Sequence, residues 1–178
     1  MAIEIVQKEN PVLRRIAETV PVAEITSSKI KKILKDMSTA LSGEGDGVAI
    51  AAPQIAVPLR IFVVSGKIFD EDFTEETKIT DKKTKNHPDV VFINPVIKKM
   101  SKTKKWLPEG CLSVRPLYGE VRRSTHATVS AYDENGKKFT RGGAGLLAHI
   151  FQHEVDHLDG VLFIDKARKV EEGIPEEN

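Results

Sequence analysis

A chain of 178 residues is long enough to bury roughly 70% of its unfolded surface in one domain, without disulfide staples. Its 27 basic and 26 acidic residues nearly cancel to a net charge of +1, so the overall balance signals neither a nucleic-acid partner nor a membrane surface. One cysteine excludes an internal disulfide, no apolar run approaches the ~20 residues of a membrane span, and Met1 to Lys8 lacks the apolar core of a secretion signal; a cytoplasmic protein is expected.

In chain order, residues 3–6 form a short apolar alternation, a strand or an extended lead-in, and Asn10-Pro11 favours a turn or helix start. From Ser27 to Leu41 the apolar positions Ile30, Ile33, Leu34, Met37 and Leu41 recur at helical spacing, which predicts an amphipathic helix ending in Gly43-Glu44-Gly45-Asp46-Gly47. Val48 to Gln54 and Leu59 to Val64 read as extended segments, the second a buried strand. Residues 66–89 carry twelve charged side chains and predict a solvated loop or irregular hairpin before a strand at Val90 to Pro95. Val121 to Arg123 and Thr125 to Tyr132 read as two strands of one antiparallel sheet, with an Asn-Gly turn in Asp133 to Gly136. A helix over about 143–158 stops at Gly160. The fold class expected is α+β: antiparallel or mixed sheets around a central C-terminal metal-binding helix, plus an N-terminal helix. One domain spans 1–165, and 166–178 is a charged tail whose end, Gly173 to Asn178, frays.

The chemistry concentrates on that last helix. His153-Glu154-Val155-Asp156-His157 places two imidazoles on one helix face, close enough to grip one ion, with a glutamate beside the first to work on water. The lone Cys111, in Glu109-Gly110-Cys111-Leu112-Ser113, offers a soft third ligand and leaves a fourth position open for water. A histidine pair or a lone cysteine is by itself as readily an ordinary core group. Together, with Leu146, Ile150, His153 and His157 on one stripe, they predict a metal site at the wall of an apolar pocket. Leu147, Phe151, Val155 and Leu158 form a neighbouring core stripe. His87, His126 and His149 lack partners at ligand spacing; for His149 a pocket-lining or exposed place is expected.

Three ordered blocks resemble the peptide deformylase family: Gly47-Val48-Ala49-Ile50-Ala51-Ala52-Pro53-Gln54, Glu109-Gly110-Cys111-Leu112-Ser113 and Gln152-His153-Glu154-Val155-Asp156-His157-Leu158. The resemblance implies removal of the N-formyl group from the initiator methionine of nascent polypeptides, with release of formate. It implies a divalent ion on Cys111, His153 and His157, Fe2+ in the cell with Zn2+ or Ni2+ as substitutes, and Glu154 as proton acceptor and donor. It carries the oxyanion donors onto the Gln54 side chain and the Leu112 N–H, and substrate binding onto Gly47, Val48, Ala49, Leu107, Glu109, Gly110, Leu146 and Ile150. A monomer in transient association with the ribosome is expected. Two positions depart from the family pattern: Ala49 stands for a second glycine, and Tyr118 for an arginine that orients the glutamate before Gly-Cys. Arg122 or Arg123 is the candidate to pair with Asp156. The alternatives are a catalytically weak or silent peptide-binding relative and a zincin-type endopeptidase. The zincin normally takes its third ligand downstream, where residues 161–178 hold no histidine or cysteine.

Overall fold

The computed structural model describes residues 2–73 and 87–173. The N-terminal residues run extended into a 3-10 turn at Pro11–Arg14, which Asn10 caps by accepting from the Val12 N–H. Helix α1 (Ser28–Ser42) is capped by Ser27 and buries Ile30, Leu34, Met37, Ala40 and Leu41, the spacing read from sequence. Strands β1 (Ala49–Ala51), β2 (Ile61–Val64), β3 (Val90–Met100), β4 (Lys104–Gly110), β5 (Leu117–Ser124), β6 (His126–Tyr132) and β7 (Lys138–Ala144) precede helix α2 (Gly145–Leu158) and strand β8 (Arg168–Glu172).

Two antiparallel sheets result. One has the order β1-β2-β3-β6-β7, the other β4-β5-β8. The larger is sandwiched between the helices. Ile50, Ile61, Val63 and Ile93 pack in one cluster with the buried face of α1, whereas Phe62, Val64, Phe92 and Val129 pack in another with Phe151 and Leu158 of α2. β2 is therefore buried on both faces, which is why its sequence is an unbroken apolar run. Phe62 and Phe92, paired in register, stack with ring centroids 4.5 Å apart, and Phe151 meets Phe92 edge-on. Removing one such ring costs about 3–5 kcal/mol.

Four expectations change. The segments at 121–123 and 125–132 are not partners: β5 pairs with β4 and β8, while β6 pairs with β3 and β7. Local alternation marks a strand but not the sheet it joins. Gln54 lies on a 3-10 turn at Ala52–Ile55, not in an extended segment. β3 continues past Pro95 to Met100. The charged tail expected from residue 166 onward contains a strand, β8, which pairs with β5. Of the charged excursion, 74–86 lie outside the described residues, as do 174–178 of the expected tail.

α2 starts at Gly145 and ends ahead of Gly160, whose φ of +76° and 2.6 Å approach of a would-be Cβ to the Arg14 carbonyl leave no room for a side chain. Gln152 clamps the helix to the end of β5, its amide donating to the Ser124 carbonyl and accepting from the Ser124 N–H, both at 2.9 Å. No described helix is long and apolar enough to cross a membrane.

Candidate metal centre

α2 enters between the two sheets, and its cleft-facing stripe meets the end of β4. There Cys111, His153 and His157 present ligand atoms that all lie within 4.8 Å of one another, and Cys111 Sγ is 3.2 Å from His157 Nε2. A thiolate and two imidazoles at this spacing converge on one tetrahedral ion with small adjustments. Glu154, 3% exposed, has its Oε2 buried without a hydrogen-bond partner. A buried carboxylate oxygen without a protein partner, beside soft and borderline donors, fits a site built for a divalent ion and a water.

A cleft of about 320 Å3 opens over this point. Its lining includes all eight residues expected to bind substrate, together with Gln54, Cys111, Leu112, His153 and Glu154. His157 is 1% exposed and is not among the lining residues. Ala49 needs no glycine-like backbone, since it sits in β1 and is not among the residues of positive φ. Its methyl packs into the core cluster beneath α2.

Glu109 is where expectation and geometry diverge. It lines the cleft, but its carboxylate is directed to neighbouring side chains: it accepts from His153 Nδ1, from His149 Nε2 at 2.5 Å, and from Arg123 Nε and Nη2 at 3.1 and 2.7 Å. The acceptance from His153 Nδ1 leaves Nε2 of that ring for an ion. Arg123, rather than Arg122, also reaches Asp156 at 2.6 Å. It supports Glu109 where Tyr118 replaces the family's arginine. Tyr118 lies over Gly110 instead, and a Cβ there would meet its ring at 2.6 Å.

The electrostatics follow this wiring. Burial alone would raise the Glu109 carboxyl, but the positive charge of His153 and hydrogen bonds from His149, His153 and Arg123 hold it well below the usual range. Burial works to lower His153, yet the Glu109 charge and its bonds to Cys111 and Glu109 raise it well above 6.5. Burial pushes His157 well below 6.5, which favours its neutral form. Burial lifts Glu154 to about 7, poising it to exchange protons near neutrality.

Gln54, 1% exposed, is oriented at both ends of its amide. Oε1 accepts from the Ala51 N–H at 2.8 Å, while Nε2 donates to Ser113 Oγ at 3.1 Å and sits 3.6 Å from Cys111 Sγ. Sequence reading missed Ser113, Gln152 and the hydrogen-bonding part of His149. His149 left a signal, its position one turn before His153, whereas Ser113 and Gln152 act through partners far away in the chain.

The family model described as polypeptide deformylase matches residues 2–173. The chain is 39% identical over 163 residues to peptide deformylase 1A, chloroplastic/mitochondrial, of Arabidopsis thaliana, covering 92% of this chain and 60% of that protein. It therefore spans about three fifths of the length of that plant relative and of a similar tomato protein. A peptide deformylase of Thermomicrobium roseum is 39% identical over 164 residues, 91% of this chain and 84% of that one. The Met-Ala-Ser bound crystal structure of the class I type b peptide deformylase from Acinetobacter baumannii superposes with a TM-score of 0.78 at 29% identity, covering 93% of this chain and 99% of that one. With three motifs in order, the cysteine and both histidines gathered at one cleft, and this match over nearly the whole length, the chain belongs to the polypeptide deformylase family.

Proposed function

We propose that the protein hydrolyses the formyl group from N-formyl-methionyl ends of nascent polypeptides and releases formate. The observation that carries this reading is the convergence of Cys111, His153 and His157 beneath a cleft into which Glu154 and Gln54 both face. When held by those three residues, a divalent ion supplies the Lewis acidity that makes water nucleophilic near neutral pH. Glu154 accepts the proton of the attacking water and returns it to the departing amine. Gln54 Nε2 and the Leu112 N–H donate to the oxyanion that develops on the formyl carbon, each worth ~10²–10³ in rate. Val48, Leu107, Leu146 and Ile150 form the apolar wall for the methionine side chain, and the backbone at 47–49 aligns the extended peptide as an added strand. Crowding at the small formyl site disfavours acetyl.

The Met-Ala-Ser complex of the Acinetobacter baumannii relative supports placing a methionyl peptide in this cleft. Fe2+ is the working metal in this reading, with Zn2+ or Ni2+ as substitutes. The protein acts as a cytoplasmic monomer in passing contact with the ribosome. The silent-relative alternative loses ground because Cys111, His153, Glu154, His157 and Gln54 are all present and gathered, and the zincin alternative because the third candidate ligand comes from upstream. The deciding experiment loads Fe2+ without oxygen and measures formate released from formyl-Met-Ala-Ser beside cleavage of an unformylated peptide. Formate release is expected; metal bound with no formate would sink the reading.

A further inference from the structure

Two adjacent residues of the N-terminal segment hold the backbone of both oxyanion candidates. The Val6 N–H donates to the Gln54 carbonyl at 2.9 Å, and Gln7 Nε2 donates to the Leu112 carbonyl at 3.0 Å. The segment is anchored on two sides. Ile5 packs with the cluster that Leu112 joins, and Val6 with the cluster that Cys111 joins. Gln7 itself is exposed, so its side chain contributes little to the core.

The bonds around Leu112 make this anchor consequential. The peptide between Leu112 and Ser113 is held at both ends, its carbonyl by Gln7 and its N–H by Cys111 Sγ at 3.4 Å. The preceding peptide, which carries the Leu112 N–H, is held through its Cys111 carbonyl by the Val114 N–H at 3.1 Å. Among the described residues the Leu112 N–H itself donates to no group. An unbonded donor with both flanking peptides fixed is what preorganised oxyanion stabilisation needs, because alignment is settled before charge develops.

We propose that Gln7 is a positioning residue: through the Leu112 carbonyl it fixes the direction of the Leu112 N–H, and with Val6 it makes the N-terminal segment a strap joining the two halves of the oxyanion hole. This rests on the assignment of Gln54 and Leu112 as the oxyanion donors.

Gln7→Glu keeps the shape but removes the donor, Gln7→Met removes polarity altogether, and Gln7→Lys restores a donor. For the first two we expect kcat for formyl-Met-Ala-Ser to fall about tenfold, with KM within about twofold of wild type and an unchanged melting temperature. The lysine variant should recover most of the loss. Hydrogen exchange across 111–114, read without substrate, should quicken about fivefold in the glutamate and methionine variants and not in the lysine variant. Unchanged exchange and kcat in Gln7→Glu overturn the proposal, as do equal losses of kcat and melting temperature in all three variants. A wild type that releases no formate sinks the deformylase reading instead, and exchange alone then decides whether Gln7 anchors the loop.

Discussion

Arg123 pairs with Glu109 at two points, Nη2 to Oε1 at 2.7 Å and Nε to Oε2 at 3.1 Å, with side chains only 4% and 3% exposed. The same guanidinium reaches Asp156 at 2.6 Å, so one cation ties β4 to α2 behind the cleft. Planar, forked donors are what this geometry requires, and lysine does not reproduce them. Arg123→Met takes the shared cation from both carboxylates, leaving Glu109 to His149 and His153 and Asp156 to Lys166, and is expected to cost about 3 kcal/mol in a denaturant titration. Because Glu109 titrates below its ordinary 4.5 in the folded chain, the stabilisation it provides is full above that pH and lost as pH falls below it. Metal-free wild type should therefore lose stability more steeply than Glu109→Gln on acidification below pH about 4.5. Parallel acid-unfolding curves for the two would contradict this wiring.

Glu154→Gln should keep its metal and lose ~10²–10⁴ in kcat, since it retains shape while deleting the proposed proton acceptor. Activity within a few-fold of wild type assigns the base elsewhere. The metal-free protein offers a separate readout. Burial raises Glu154 from 4.5 to about 7, so the folded chain prefers the neutral acid and loses stability as pH rises from 4.5 through 7. Free of that ionisation, metal-free Glu154→Gln should be more stable than metal-free wild type by about 3 kcal/mol at pH 8, and no more stable than it below pH 4.

Metal binding should register as stability. A ligand that binds only the folded state adds about 2.7 kcal/mol at a hundredfold excess over its Kd. Titrating Zn2+ or Fe2+ into metal-free wild type should raise the melting temperature, and chelation should reverse it. Cys111→Ser and His157→Ala should abolish the shift, because the remaining donors no longer close a three-ligand set. An equal shift in these variants would place the ion elsewhere.

Gly110 and Tyr118 form a testable pair. A methyl on Gly110 would come within 2.6 Å of the Tyr118 ring, so Gly110→Ala must displace that ring, and both residues line the cleft. A rise in KM of about tenfold is expected for Gly110→Ala, largely relieved in Gly110→Ala/Tyr118→Ala. Additive effects of the two substitutions, measured in a full cycle, would show that the ring is not what glycine accommodates.

Much of this architecture is legible in local pattern. The spacing of Ile30, Leu34, Met37 and Leu41 specifies α1, the unbroken apolar run of β2 marks a strand buried on both faces, and His153 and His157 declare their shared helix face without any tertiary information. Strand partnership was not legible. The strands at 117–124 and 126–132 are separated only by Thr125 yet join different sheets, and nothing within either strand says so. Glu109 shows the same limit: its motif placed it beside the substrate, but the partners that claim its carboxylate come from β5 and α2.

The cysteine, the two histidines and Glu154 are therefore candidates that the sequence alone singles out, because side-chain chemistry and short-range periodicity are local properties, whereas Gln54 stands out only through the resemblance of its motif. The tertiary structure decided how they are held. Arg123 takes over the support of Glu109 across β4, β5 and α2, and the N-terminal strap reaches the carbonyls of Gln54 and Leu112. Such contacts join residues far apart in the chain, and only closure of the two sheets around α2 brings them within hydrogen-bond reach.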